Sequence, residues 1–230
     1  MRKEEVTLFG FDELSDSAKE RAHRDWLEQG HEHVWATEAE DTIKAIEKEF
    51  RATIDRWSYN SYRYDYNLSF DDSMSDALAL RGNRARAWLW NHYGRLLLTP
   101  RLSFWTPHDG KLIRAVSLDS RKYVSKCFFD RVYDGTCPLT GVCFDCNALD
   151  PLAYFCFGVR WDEEKKTRVP SRRDLAYDNS QTVEDVLTEC VESLFQALKE
   201  DCEWQDSMEY FKDFCDANEF EFTEDGDRWR

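Results

Sequence analysis

Residues 183–202 read VEDVLTECVESLFQALKEDC, the most regular hydrophobic pattern in the chain. Apolar side chains recur every three or four residues, at positions 183, 186, 187, 190, 191, 194, 195, 198 and 202. This is the period of one face of an α-helix, and Thr182 followed by Asp185 is typical of a capped helix start. The opposite face carries glutamates. We therefore predict a surface helix whose apolar face packs on the core.

Helical and strand-like patterns surround this helix. Five further helical segments are predicted: 16–29 after the cap Ser15, 35–50, 74–93 with an interruption at Gly82-Asn83, a short segment starting near Asp150-Pro151, and Ser207 to Asn218. Strands are predicted at 6–9, 62–70, within 122–129 and at Phe220 and Phe222, and residues 158–180 are predicted as a charged loop. No linker rich in Gly, Ser or Pro divides the chain. The pattern therefore predicts a single α+β domain over residues 1–230, with several amphipathic helices covering a small antiparallel sheet.

The predicted strand at 62–70 has two interpretations. Aromatic or apolar residues occupy every second position from Tyr62 to Phe70. This alternation is typical of a half-buried strand, and exposed rings at the same spacing would also form a stacking platform for nucleic-acid bases. Because a single cation lies between these positions, packing in the core is the favoured interpretation.

The composition excludes a disordered chain and a membrane-spanning one. The 230 residues include 9 Trp, 10 Tyr and 15 Phe, far more aromatic surface than unfolded sequences carry. Charges break every apolar stretch well short of the roughly 18 residues that a membrane-spanning helix needs. The first residues also lack the apolar segment of a signal peptide. We expect a protein of the cytoplasm whose eight cysteines stay mostly reduced.

The net charge of −15 is distributed unevenly along the chain. Residues 174–230 carry 18 acidic and 4 basic side chains, whereas residues 81–131 carry 3 acidic and 11 basic ones. The acidic candidates are Glu184, Glu189, Glu192, Glu200, Asp201, Glu203, Asp206, Glu209 and Asp213. They form either a solvated helix face that keeps the protein soluble or a surface that competes for the basic sites of a partner.

The basic middle of the chain is an alternative binding surface. Its arginines are interleaved with Trp88, Trp90, His92 and Tyr93, and they are Arg81, Arg84, Arg86, Arg95 and Arg101. Guanidinium groups bind phosphates and stack on bases, so this segment is a candidate nucleic-acid-binding site. On a helix, however, the arginines do not share one stripe. Pairing with acidic residues inside the fold is the competing interpretation.

Four cysteines are candidate zinc ligands. Cys143 and Cys146 have the spacing of a zinc knuckle, and Cys127 and Cys137 precede them. A second knuckle is missing, so buried small thiols are the alternative interpretation. Cys190, Cys202 and Cys215 fall on the apolar faces of their helices and are predicted to be core residues.

The sequence contains none of the common catalytic patterns. It lacks the nucleophile elbow of hydrolases, the paired histidines of zinc proteases, the P-loop and the dinucleotide-binding glycine motif. It also contains few glycines, nine in all, for an enzyme that cradles phosphates. We expect a protein that is not an enzyme and that needs no cofactor, apart from the zinc ion considered above.

The sequence resembles a group of uncharacterised proteins encoded by phages and other mobile elements. The motifs that carry this resemblance are FDELSDSAKERA at 11–22, CPLTG at 137–141, LDP at 149–151 and EFEFTEDG at 219–226. They are spread over nearly the whole chain. The resemblance implies no catalytic residue. It implies a setting in which small acidic proteins often bind host proteins, and in which some block restriction or CRISPR complexes.

Charge and resemblance together suggest a function. We expect a protein-binding inhibitor of a host defence complex, in which the acidic face acts as a DNA mimic on a basic surface that normally meets nucleic acid. Direct nucleic-acid binding by the arginine segment is the alternative.

The zinc hypothesis makes a simple prediction. A site formed by Cys127, Cys137, Cys143 and Cys146 would hold about one zinc ion per chain, and chelation would unfold the protein. Elemental analysis and thermal unfolding with and without a chelator measure both effects. A metal-free protein whose melting temperature is insensitive to chelation would contradict the hypothesis.

Overall fold

The structure is a computed structural model that describes residues 6–30, 33–97, 138–141, 144–157, 159–162, 167–170 and 180–229. The chain forms two compact units. Unit 1 contains residues 1–36, 59–64 and 198–230, and unit 2 contains residues 37–58 and 65–197. The interpretation of residues 1–230 as a single domain stays a prediction.

The predicted α+β class with a small antiparallel sheet is confirmed. The helices are α1 (Asp16–Glu28), α2 (Ala36–Phe50), α3 (Ser75–Leu78), α4 (Gly82–Tyr93), α5 (Phe144–Phe157), α6 (Val183–Gln205) and α7 (Met208–Ala217). The strands are β1 (Ala52–Tyr59), β2 (Tyr64–Phe70), β3 (Val159–Asp162) and β4 (Thr167–Pro170). They pair as two separate two-stranded sheets, β1 with β2 and β3 with β4. The β3–β4 hairpin lies where a charged loop was predicted, and the predicted strand within 122–129 lies outside the described residues.

Unit 1 brings the two ends of the chain together around one core. Phe11, in a 3₁₀ turn at Phe11–Glu13, packs edge-on against Phe211 and Phe222, with ring centroids 5.3 Å and 6.0 Å away. Ala18 and Ala22 of α1 complete the contact. The strands predicted at 6–9 and at 220–222 reduce to a single antiparallel bridge between Phe9 and Phe222. The chain ends are therefore joined by side-chain packing more than by a sheet.

Helix caps in unit 1 follow the sequence signals. The Ser15 hydroxyl accepts a hydrogen bond from the Ala18 N–H at 3.3 Å, which confirms the predicted start of α1. Gly30 has φ +69° just after α1, the left-handed conformation in which glycine commonly ends a helix. The Ser207 hydroxyl likewise accepts from the Tyr210 N–H at the start of α7.

The β1–β2 hairpin contains a strand that the alternation pattern did not reveal. β2 alternates half-buried and exposed residues as predicted. In β1 the inward positions change phase between Ile54 and Trp57, where Arg56 has φ +50°. A shift of the alternation at a residue with a left-handed backbone is typical of a β-bulge. This shift explains why the alternation pattern did not predict β1.

The rings of β2 pack inside unit 2. The Tyr66 ring stacks on Phe195 of α6, with centroids 4.6 Å apart and an interplanar angle of 15°. All nine apolar positions predicted for α6 are buried. The capping pair at its start is also present, with the Asp185 N–H bound to the Thr182 hydroxyl at 3.0 Å and the Thr182 N–H bound to the Asp185 carboxylate at 2.7 Å. Packing in the core, and not base stacking, accounts for Tyr66.

Two helix boundaries in unit 2 differ from the prediction. The interruption predicted at Gly82-Asn83 falls earlier, between α3 and α4, and Gly82 itself is the first residue of α4. Helix α5 begins at Phe144, so Pro151 lies inside it and not at its start. Proline has no N–H for the carbonyl of Asn147 one turn earlier. The Ser193 hydroxyl of α6 donates to that carbonyl at 2.8 Å, which is why a helix interior accepts a proline here.

Gly226, in unit 1, has no space for a larger side chain. It has φ +88°, and a Cβ built on it would lie 2.3 Å from the carbonyl oxygen of Ala18. We expect Gly226→Ala to lower the free energy of unfolding by about 2–4 kcal/mol, because a strained backbone conformation and a steric overlap add. Denaturant unfolding measures the loss.

Gly30 supplies the matched control for this substitution. It also has a positive φ, but a Cβ there would meet nothing within 4 Å. Gly30→Ala should therefore cost only the conformational part, about 1 kcal/mol. Equal losses for the two variants would show that the close approach to α1 contributes nothing.

Candidate functional site

In unit 2, helix α6 exposes a group of carboxylates. Glu184, Glu189 and Glu192 are all exposed, as is the capping residue Asp185. At 100° per residue, Asp185, Glu189 and Glu192 fall within an arc of about 60°. Partial burial raises the pKa of Glu189, the hydrogen bond from Gln181 opposes the rise, and the charges of Asp185 and Glu192 add to it. This arc therefore has a negative electrostatic potential, which favours the binding of a cation.

In unit 1, the remaining candidates divide into two groups. The first group is exposed and consists of Glu200, Glu203, Glu209 and Asp213. Glu203 forms an ion pair with Lys199, with Nζ and Oε2 3.4 Å apart. Such a pair between exposed groups contributes about 0.5 kcal/mol or less and holds the carboxylate only weakly. Glu203, Glu209 and Asp213 are therefore open to contact with a partner.

Asp201 and Asp206 have a different environment within unit 1. The buried Gln205 side chain donates to Asp201 at 2.6 Å and accepts the Val34 N–H at 2.8 Å. The Asp206 carboxylate lies 3.0 Å from His33 Nε2, and its backbone carbonyl accepts a hydrogen bond from His23 at 2.9 Å. These two residues therefore fix the 33–34 segment and are separated from the exposed carboxylates. Helical geometry gives the same separation, since Asp201 lies about 160° around the helix from Glu203.

The arginine candidates of unit 2 have different environments in the structure. Arg86 is 3% exposed, and its Nε donates to the Phe155 carbonyl at 3.0 Å. A phosphate cannot reach a guanidinium held in this way. Arg95 forms an ion pair with Glu49, which agrees with the competing interpretation of internal pairing. Arg81 and Arg84 are exposed, and Arg101 lies outside the described residues.

The structure describes one of the four cysteine candidates. Cys146 is half-buried, while Cys127, Cys137 and Cys143 lie outside the described residues. Within the described part of the chain, no three His, Cys, Asp or Glu side chains are grouped so that they could hold a metal ion. The zinc site stays a prediction.

The other thiols are packed in the core. The predicted burial of Cys190, Cys202 and Cys215 is confirmed, and Cys156 is buried as well. Burial raises the pKa of Cys156, Cys202 and Cys215 to about 12. These groups are neutral near pH 7 and therefore poor nucleophiles.

A cleft in unit 2 lies beside the start of α6. Its volume is about 320 Å³, and its apolar walls include Leu68, Phe70 and Leu78. Three carboxylates line it: Asp71, Asp72 and Glu184. A lysine or arginine side chain has a matching combination of an apolar stem and a cationic head. The cleft thus adds two carboxylates, Asp71 and Asp72, beside the exposed glutamates at the start of α6.

Residues 139–141, which belong to the CPLTG motif, bind a buried carboxylate that was not among the predicted site residues. Asp145 is fully buried, and its Oδ2 accepts the N–H groups of Leu139, Thr140 and Gly141 at 2.7, 2.7 and 3.2 Å. Its Oδ1 accepts the Thr140 hydroxyl at 2.8 Å, and the Thr42 hydroxyl lies 3.5 Å away. An aspartate shortly after a loop motif, in the first turn of a helix, was the available signal. The motif has a structural role here.

Within the described residues, no helix combines the length and the apolar character that crossing a bilayer requires.

Comparison with models of protein families, with curated proteins and with solved structures finds no match to this chain.

The Asp145 network predicts a large effect of a small substitution. Asp145→Asn keeps an oxygen for the three backbone N–H groups, but it removes the negative charge that strengthens those hydrogen bonds and places an NH₂ group where the Thr140 hydroxyl donates. We expect the free energy of unfolding to fall by about 2–4 kcal/mol. Thermal and denaturant unfolding measure it, with Asp65→Asn on the exposed side of β2 as the control. Unchanged stability of Asp145→Asn would contradict this role.

Proposed function

We propose that this chain is a non-enzymatic accessory protein of a phage or mobile element that binds a host protein through the exposed carboxylates of α6. In this proposal it inhibits a defence complex by occupying a basic surface that otherwise meets DNA or RNA. The observation that carries the proposal is the arc of Asp185, Glu189 and Glu192, three exposed carboxylates within about 60° on one side of α6. A basic surface on a partner would neutralise these charges.

The spacing of the carboxylates favours competition by charge. Along the helix axis, Asp185, Glu189 and Glu192 are about 6 Å and 4.5 Å apart, since each residue rises about 1.5 Å. Phosphates along one DNA strand are about 3.4 Å apart. The arc thus offers a lower charge density than DNA, and it would mimic the sign of the duplex charge more than its spacing. Such an attraction speeds association and weakens with salt.

The chemistry of the described residues supports a binding role over catalysis. The buried thiols have raised pKa values, and His23 and His33 are both bound to Asp206. The groups that are exposed together are carboxylates, which bind cations. Among the described arginine candidates, Arg81 and Arg84 are exposed and have no ion pair with a carboxylate. Two such arginines do not favour nucleic-acid binding over protein binding.

Charge reversal on α6 tests the proposal. The triple variant Glu189→Lys, Glu192→Lys, Glu200→Lys should retain the fold, because all three side chains are exposed. Its affinity for the partner should fall at least about tenfold, since attraction becomes repulsion. Capture from a lysate of the natural host at two salt concentrations, followed by calorimetry with the captured protein, measures the change.

The matched control carries the same change in charge elsewhere. Asp55→Lys, Asp65→Lys, Asp76→Lys alters three exposed carboxylates of unit 2 outside α6. This control should lose much less affinity than the α6 variant. Equal binding by the α6 variant and the unmodified protein would contradict the proposal. Recovery of nucleic acid in place of a protein would favour Arg81 and Arg84 instead.

A further inference from the structure

A row of aromatic rings runs along the outer side of α7 in unit 1. Tyr210 and Phe214, one turn apart, lie nearly parallel, with centroids 6.4 Å apart and an interplanar angle of 14°. Trp204 continues the row at one end, 6.3 Å from Tyr210, and Phe220 continues it at the other, 5.5 Å from Phe214. Trp204 is 45% exposed and the other three are half-buried. We call these four residues the aromatic row.

The aromatic row rests on a supporting ring. Trp26 of α1 lies 6.4 Å from Tyr210 and 6.0 Å from Phe214, and it packs on the buried Phe211 at 4.9 Å. The rings are therefore held in place before any partner arrives. Pre-organised aromatic side chains lose little conformational entropy on binding, which is why they are frequent at binding hot spots.

Carboxylates run beside the aromatic row on the same helix. Glu209 and Asp213 precede Tyr210 and Phe214 by one residue each, so they form a parallel line about 100° around α7. Both are exposed. The lysine of α7, Lys212, is bound to Asp12 at 2.6 Å and to Asp216 at 2.9 Å. This part of α7 thus presents ring faces next to negative charge.

One end of the aromatic row already holds a guanidinium group from the chain itself. The Arg228 Cζ lies 3.5 Å from the centre of the Phe220 ring. This is a close cation–π contact, and it shows the kind of group that the rings accept. Of the remaining rings, Trp204 is the most exposed, and Tyr210 and Phe214 are half-buried.

We propose that the aromatic row, together with Glu209 and Asp213, is a docking surface for arginine side chains of a protein partner. The proposal rests on the function proposed above and adds the chemistry that the partner must present. A guanidinium group stacks flat on a ring while donating hydrogen bonds to a neighbouring carboxylate, whereas a lysine ammonium group does so less well. Nucleic-acid bases also stack on aromatic rings, but the adjacent carboxylates repel the phosphates that accompany them.

The test compares two probes on the purified full chain. One is a short peptide of alternating arginine and alanine, and the other has lysine in place of arginine. We expect the arginine peptide to bind about threefold to tenfold more tightly, from the cation–π and stacking contribution. Calorimetry at constant ionic strength gives both affinities, and tryptophan fluorescence reports contact with the rings.

Ring-removing variants locate the effect. Trp204→Leu and Tyr210→Leu keep an apolar side chain while removing a π face, and both should reduce the preference for arginine to about twofold or less. Tyr154→Leu removes an exposed ring in unit 2 and should leave the preference unchanged. Thermal melting establishes that each variant is folded, and Trp204→Leu is the safer of the two because its ring is the most exposed of the row.

The outcomes separate this inference from the proposed function. A preference for arginine that both row variants lose and Tyr154→Leu retains supports the docking surface. Equal binding of the two peptides, or a preference that both row variants keep, overturns it. If in that case the α6 charge reversal still abolishes capture of the host protein, the proposed function stands without the docking surface. If the row variants lose the preference while the α6 reversal has no effect, the proposed function fails on its own test.

Discussion

The amphipathic division of α6 is the constraint on which the rest of the structure depends. Ten apolar side chains of this helix are buried, so its glutamates lie on the opposite side. In unit 2, Phe195 on the buried side stacks on Tyr66 and positions the β1–β2 hairpin, and Ser193 completes the hydrogen bonding around Pro151 in α5. The exposed carboxylates are thus placed by burial on the other side of the same helix. The exposed carboxylates and the buried apolar side chains therefore lie on opposite sides of one element.

The basic segment and the acidic segment of the chain differ in how their charged side chains are placed. Two arginines of the basic middle are held by contacts within the fold: Arg86 is buried against Phe155, and the exposed Arg95 is paired with Glu49. The acidic segment has few cations of its own, so most of its carboxylates stay in solvent. A sequence average hides this difference, because a net charge does not distinguish groups that neutralise each other inside a fold from groups that face a partner.

How much the sequence could predict depended on whether a signal was local. The burial and capping of α6 were predictable because periodicity and the Thr182–Asp185 pair lie within a few turns. β1 was missed because the alternation shifts by one residue at Arg56. The position of Pro151 inside α5 depends on Ser193, more than forty residues away, and the role of Asp145 depends on backbone N–H groups that only the folded loop directs toward it. Asp201 is a different case: counting 100° per residue already separates it from the glutamates, so its grouping with them was avoidable.

The pairing of Phe9 with Phe222 has a consequence for the order of folding. The core of unit 1 takes residues from both ends of the sequence, whereas most of unit 2 comes from the contiguous stretch 65–197. During synthesis, Phe11, Ala18 and Ala22 therefore emerge long before Phe211 and Phe222 exist to cover them. The apolar face of α1 therefore stays uncovered until the residues of α7 have been synthesised.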